Sequence, residues 1–538
     1  MSGAQMRGSA EQPQGLSEKE RKYDRQLRLW ASSGQDALES SHILLLNSGS
    51  GAVGIGRFTI VDEALVSEAD LGSNFFLDEN CLGHLRAESC AERLLELNPE
   101  VEGDWYPKSN PRPAVITGSK KLCLTGISQT GVDLAAVLAS PVSFTAIIYT
   151  FPIRADHLAL VDSYAETHKI PVISIHSSGF YSYFQVRLPG IFPIVDTHPD
   201  ENAINDLRLL NPWPELVEFC QDLTSDVDGL DDYEHGHLPF IAILFYYLKA
   251  WRDHNDSRSP STPDEKRAFR KMVLAGMRTS NPEGGEENFE EAAAAVLKAI
   301  SQPKLPASLK EVFERAQGTP VDQRTGFWAI ASAVKEFYDR HGQLPLPGRI
   351  PDMKAKSDVY VQLQNLYKAK ARADTVEILD SAKSICPSAT VTMKEVELFC
   401  RNAAFIRLIN SRSRGSDQTQ LIADQEFAND EIAKQAGMGT SLFPIYLALR
   451  AMPNSHVAGE DDILANIEKS VPSASSHESI RLAAREVSRA SGELHNIAAI
   501  TGGMAAQEII KIITKQYVPV DNTCVFDGIG SRCQIFYL

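Results

Sequence analysis

The tightest constraint on this chain lies near its start, where two strand-like runs stand closer together than a parallel crossover normally allows. His42-Ile43-Leu44-Leu45-Leu46-Asn47 is a short, continuous apolar block followed at once by glycines, and it reads as a buried parallel strand. Phe58-Thr59-Ile60-Val61-Asp62 reads as a second strand. Only residues 48–57 separate them, and four of these are glycine. A parallel crossover with its helix takes at least about 10–12 residues, and an average helix alone takes about 11. The crossover helix is therefore expected to be stunted or missing, leaving the apolar face it would cover to another element.

Within that linker, Gly49-Ser50-Gly51-Ala52-Val53-Gly54 matches GxGxxG directly after a strand. Glycines there let backbone N–H groups approach a phosphate, and a following helix would add the positive end of its dipole. Asp62, at the end of the next strand, is the acid that would take a ribose. It lies 13 residues beyond Gly49, where the usual dinucleotide spacing is about 20. Two readings stay open: a degenerate nucleotide loop built from Gly49, Gly51, Gly54 and Asp62, or a plain glycine turn between strands. Under either, a site with little or no helix behind it is expected to hold nucleotide weakly.

Beyond the loop, strand and helix patterns alternate. A helix is expected near 85–97, a strand at 144–149, a helix near 156–168 and a strand at 171–175. Tyr181–Leu188 alternates apolar and polar residues and suggests an antiparallel edge strand. From about residue 195, long helical patterns take over, broken by Pro/Ser/Gly-rich segments such as 253–264 and 470–477. The last stretch returns to α/β character, with a helix through Gly502-Gly503 and two short strands around Asp527-Gly528. The expected organisation is a disordered tail at 1–15, the first part of an α/β domain at 16–194 opening on a capping box of Ser17 and Glu20, a helical insertion at 195–484, and the rest of the α/β domain at 485–538. The fold class is thus α/β, Rossmann-like, interrupted by a large mainly helical domain.

Bulk properties exclude several functions. With a formal net charge of −17, the chain gains nothing from counterion release on nucleic acid, so no such partner is expected. The longest strongly apolar run, Leu238–Leu248, is shorter than the ~20 residues of a bilayer helix and reads as a buried core helix. The first residues are polar, without the apolar core of a secretory signal. Eight cysteines are scattered without a CxxC pair, so neither structural zinc nor a disulfide framework is expected, and a reducing setting in cytoplasm and nucleus fits.

Several long segments, in the same order along the chain, resemble a known family. Lys22–Asp36 (KYDRQLRLWASSGQD) and GSNFFLDENCLGHLRAE at 72–88 are similar to the opening motifs of ubiquitin-like-modifier activating enzymes, which share the ThiF/MoeB-like adenylation fold. HPDENAINDLRLLNPWPEL at 198–216, FCRNAAFIRLI at 399–409 and ELHNIAAITGGMAAQEIIKIITKQYVPVDNT at 493–523 resemble the regulatory, non-catalytic subunits of the neddylation type. Catalytic members carry an Asn-Arg-Gln-Phe stretch and a downstream lysine for ATP phosphates. Here that stretch reads Asn74-Phe75-Phe76-Leu77, and the basic position holds Arg86. The resemblance thus implies a pseudo-adenylation domain, no catalytic residue of its own, no metal site and no tightly bound cofactor. ATP and Mg2+ would sit on a catalytic subunit of the neddylation activating enzyme, its heterodimer partner, which also handles the modifier. It implies further that Arg25, of the Arg25-Gln26 pair, reaches across the dimer to the partner's nucleotide. The insertion resembles half of a catalytic-cysteine region.

Three other readings remain on the sequence. An NAD-dependent oxidoreductase would use the glycine fingerprint and Asp62 but lacks a His/Lys/Tyr catalytic set. A self-sufficient adenylating enzyme conflicts with Phe75, which cannot donate to phosphate. A regulatory subunit of the sumoylation type would lack so long a helical insertion.

Overall fold

A computed structural model of the chain describes residues 21–47, 56–108, 132–141, 143–199, 206–279, 285–302, 304–320, 325–410, 416–452, 459–490 and 492–538. The expected tail at 1–15, the Ser17–Glu20 capping box, Gly49, Gly51, Gly54 and most of the 108–130 segment lie outside them. The described chain divides into two compact units. One joins Met1–Phe192 to Ile409–Leu538, and the other is Pro193–Leu408.

The first unit is built on an eight-stranded sheet. Its strands are β1 (His42–Leu46), β2 (Arg57–Val61), β3 (Glu102–Tyr106), β4 (Ala146–Thr150), β5 (Val172–Ser178), β6 (Tyr181–Arg187), β9 (Thr523–Asp527) and β10 (Arg532–Phe536), in the order β10-β9-β6-β5-β4-β1-β2-β3. Two further strands, β7 (Ile191–Val195) and β8 (Ile406–Asn410), pair separately. β1 pairs in parallel with β2 on one side and β4 on the other, with Leu45 level with Ile60 and Ile148. The two closely spaced strands are therefore direct neighbours. The return from β1 to β2 must cover one five-residue strand, about 17 Å, and the ten residues between them can span about 33 Å when extended. No helix is needed to make the connection.

Helices line both faces. They are α1 (Asp24–Glu39), α2 (Glu68–Ser73), α3 (Arg86–Leu97), α4 (Leu134–Leu138), α5 (Ala155–His168) and α6 (His495–Thr514). Leu44, Leu46, Val61 and Ile147 from the strands share one core with Leu134 and Val137 of α4 and Val161 of α5. On β5 and β6 lies α6, tied through a 2.6 Å bond between Ser182 Oγ and Thr501 Oγ1. Thr501 and Gly502 are buried while Gly503 faces open space, so the close approach expected at the pair does not hold at Gly503. By length and composition α6 could cross a membrane, a property the Leu238–Leu248 run does not have. Here one side of it is a core face, buried through Ile497, Ala505, Ile509 and Ile512.

Three expectations need correction. β6 is antiparallel but not an edge: β9 pairs along its outer side, matching Phe184 with Cys524. A strand supplied by the last residues of the chain is invisible to local alternation. β3 was not expected at all, because Glu102-Gly103-Asp104-Trp105-Tyr106 sits at the sheet edge, with no fully buried residue to set a period. The insertion ends at Leu408, not at 484. Phe443, Leu447, Ile463, Ile480 and Val487 share a core with Tyr183, Val525 and Phe536 of the sheet, so the helices of 416–488 belong to the α/β unit. Helical period identifies the element; it does not say which core buries its apolar face.

The second unit is helical. Ile241, Ile243, Leu244 and Leu248, from the apolar run singled out in the sequence, are buried in its core with Phe269, Phe289 and Tyr367. A 29-residue helix, Ser357–Ile385, contributes Leu363 and Tyr367 to that core and Ile378 and Ala382 to a second one.

Candidate functional site

β1 is followed in sequence by β2 on one side, and the chain later returns to place β4 on the other. In open α/β sheets, ligands sit at such a reversal, beyond the carboxyl ends of the strands. A cavity of about 260 Å³ lies there, lined by Asn47, Asp62, Glu63, Arg86, Arg154 and Glu493 among others.

Asn47 closes the crevice from within. It stands at φ 62°, a left-handed conformation that asparagine tolerates better than most residues. Its amide Nδ2 donates to Thr150 O at 2.9 Å, at the end of β4, and to Pro152 O at 2.7 Å, just beyond it. Thr150 Oγ1 donates back to Asn47 O at 3.0 Å. These bonds lace β1 to β4 across the reversal. Sequence reasoning treated Asn47 only as the end of a strand; a polar residue between an apolar run and a glycine was the available signal.

Asp62 is 3% exposed and fully engaged. One oxygen accepts Arg86 Nε at 2.7 Å, the other accepts Arg86 Nη2 at 3.2 Å and the Ala64 backbone N–H at 3.0 Å. This is the forked, two-bond geometry that arginine makes with carboxylates. Arg86 uses its remaining arm on Asp70, at 2.6 Å. Asp70 is itself held by Ser67, which donates its backbone N–H at 2.8 Å and its hydroxyl at 2.6 Å. Burial alone would raise the Asp70 pKa; the bonds from Ser67 and then Arg86 outweigh it and hold the carboxyl below its ordinary range. For Arg86, burial opposes the charge, but the two carboxylates prevail and keep it above its usual value. The acid placed for a ribose and the base placed for a phosphate thus neutralise each other.

The rest of the rim follows the same pattern. Arg154 faces Glu63 at 3.8 Å and Asp156 at 2.5 Å. Glu493, two residues before α6, accepts a bond from Ser177. Three carboxylates, Asp62, Glu63 and Glu493, therefore share the cavity with two guanidinium groups. Among the described residues of the lining, which also include His157, carboxylates outnumber guanidinium groups, an unfavourable balance for a polyphosphate. Asn74 is buried and caps Phe76 N at 3.0 Å, while Phe75 stands 91% exposed, with only carbon to offer. Gly49, Gly51 and Gly54 belong to the linker outside the described residues. Among the described residues, no group of His, Cys, Asp or Glu is arranged to hold a metal ion.

Arg25 sits away from this cavity, in the first turn of α1, exposed and with no ion-pair partner among the described residues. Arg28, one turn on, pairs with Asp24 at 3.0 Å. The helix is broken at Ala31, where φ is 54°.

A second cavity, about 320 Å³, lies at the opposite ends of β1, β2 and β3, lined by His42, Arg57, Asp104 and Phe144 among others. His42 is 6% exposed, and its Nε2 meets Thr59 Oγ1 at 2.9 Å. Burial, then the nearby Arg57 charge, lower its pKa from 6.5 to about 4. Nothing in the sequence marked this histidine.

The ThiF family matches residues 23–536. The NEDD8-activating enzyme E1 regulatory subunit of Gallus gallus is 33% identical over 568 residues, covering 98% of this chain and 100% of that protein. Its counterpart from Xenopus laevis is 32% identical, covering 97% and 99%. The NEDD8-activating enzyme E1 regulatory subunit AXR1 of Arabidopsis thaliana is 29% identical over 99% of both chains.

Proposed function

Because the chain belongs to the ThiF family and, within it, to the NEDD8-activating enzyme E1 regulatory subunits, we propose that it is the non-catalytic half of a heterodimeric activating enzyme. Its catalytic partner subunit holds ATP and Mg2+, adenylates the carboxyl end of the ubiquitin-like modifier and captures it as a thioester. This chain makes and breaks no bond of the reaction. It presents Arg25 to the partner's nucleotide, where a guanidinium's fixed fork of donors suits phosphate oxygens.

The observation that carries this reading is the engagement of Asp62 by Arg86 at 2.7 and 3.2 Å. A nucleotide seated at the β1–β4 reversal would have to break a buried ion pair, which typically costs about 3–5 kcal/mol. It would then meet Glu63 and Glu493 instead of phosphate donors. The same engagement counts against the oxidoreductase reading, since Arg86 and the Ala64 N–H already take most of the Asp62 acceptor sites that a ribose would need. Free thiols at the described cysteines, six of them buried, suit action in the cytoplasm and nucleus.

The test compares the purified chain with the reconstituted heterodimer in ATP–pyrophosphate exchange dependent on the modifier. Exchange is expected only with the catalytic subunit present. Modifier adenylate formed by this chain alone would overturn the reading.

A further inference from the structure

The segment carrying Arg25 is fixed at both ends by contacts that the helix itself does not supply. At its start, Lys22 Nζ donates to Glu100 Oε2 at 2.7 Å and Asn98 Oδ1 at 3.1 Å, and Tyr23 OH donates to the same Glu100 oxygen at 3.2 Å. Both acceptors stand on the tight turn after α3, closed by Val101 N to Asn98 O at 3.2 Å. At its end, Trp30 is 7% exposed and meets Tyr517 edge-to-face, with centroids 5.3 Å apart. Gln516 Nε2 donates to Trp30 O at 3.0 Å. Gly34, one turn on, lies so close that a Cβ there would fall 2.6 Å from Trp30 Cβ.

Between the two anchors the chain is open. Arg25, Gln26, Arg28 and Leu29 are all exposed. Ala31 then interrupts the helix at φ 54°, ψ −179°, a backbone state that residues with a side chain adopt only when their surroundings enforce it. A straight helix would set the direction of Arg25 from the buried half, Gly34 to Leu38. The break at Ala31 removes that control. The direction of residues 24–30 is set instead by Glu100 at one end and by Tyr517 and Gln516 at the other.

We propose that Glu100 and Tyr517 are positioning residues that hold the Arg25 strap in a fixed pose for its partner's nucleotide. This rests on the reading that Arg25 acts in trans. Neither residue touches the nucleotide. Each limits the orientations of Arg25, and a group held ready in place loses less freedom when it meets its target.

The test uses the reconstituted heterodimer with its modifier and follows kcat and the KM for ATP in pyrophosphate exchange. Arg25→Ala is expected to lower exchange on the order of tenfold or more, as loss of a fixed donor to developing charge does. Glu100→Gln and Tyr517→Ala should each lower exchange by about two- to fivefold, the scale of an exposed ion pair and of one edge-to-face aromatic pair, with co-purification of the catalytic subunit unchanged. On the Arg25→Ala background neither should cost anything further, because both act through that side chain. Lys22→Glu should likewise lower exchange, and Lys22→Glu combined with Glu100→Lys should restore it, which tests the first anchor independently of whether Tyr517→Ala folds. If Arg25→Ala is impaired while Glu100→Gln and Tyr517→Ala match the parent, the positioning role fails alone. It also fails if their loss persists in full without Arg25. If Arg25→Ala matches the parent, the in-trans reading falls first and the positioning role with it.

Discussion

Arg86 grips Asp62 with two nitrogens, Nε at 2.7 Å and Nη2 at 3.2 Å, and keeps its third arm on Asp70 at 2.6 Å. The side chains of Arg86 and Asp62 are 18% and 3% exposed. Removing one partner strands the other. Arg86→Met is expected to destabilise the chain by about 3 kcal/mol, and adding Asp62→Asn should recover more than half of that, since a neutral amide need not be paired with a charge. Urea unfolding of the parent and the two variants measures this; equal stability of the single and double variants would contradict it.

At Asn47 the side-chain amide faces two carbonyl oxygens, Thr150 O and Pro152 O. A carboxylate of the same shape has no proton to donate and would confront both. Asn47→Asp should therefore cost about 1–2 kcal/mol more than Asn47→Gly, which keeps the φ of 62° accessible. Midpoints of chemical denaturation rank the two; the reverse order would argue against the lacing of β1 to β4.

Glycine in a helix interior normally costs about 1 kcal/mol relative to alanine. Ala31, at φ 54° inside α1, is the exception. Ala31→Gly should be neutral or stabilising, because glycine enters that region without a clash between Cβ and backbone. A loss of about 1 kcal/mol or more in thermal or urea unfolding would mean that α1 runs straight.

His42 is held neutral, its pKa lowered from 6.5 to about 4 by burial and then by Arg57. The unfolded chain binds a proton at this site between those values while the folded chain does not. Stability from this group is thus complete above pH 6.5 and declines as pH falls toward 4. His42→Gln should flatten that part of the stability–pH profile. An unchanged slope between pH 6.5 and 4 would show that His42 titrates normally.

Much of the architecture was legible along the chain. The unbroken apolar runs of β1, β4 and β5 announced buried parallel strands. Leu238–Leu248 was readable as a core helix. β3 was not, because an edge strand with a half-buried face carries no strong period.

The sequence by itself determined the α/β class and the family, since these depend on residue type, local spacing and the order of motifs along the chain. Only the tertiary structure decided that Asp62 is taken by Arg86, that Asn47 bonds to the carboxyl end of β4, and that β6 lies inside the sheet. It also decided that the helices of 416–488 share the sheet's core rather than the insertion's. The reason is physical: periodicity reports which face of an element is buried, whereas the choice of partner depends on which distant groups the fold brings within bonding distance.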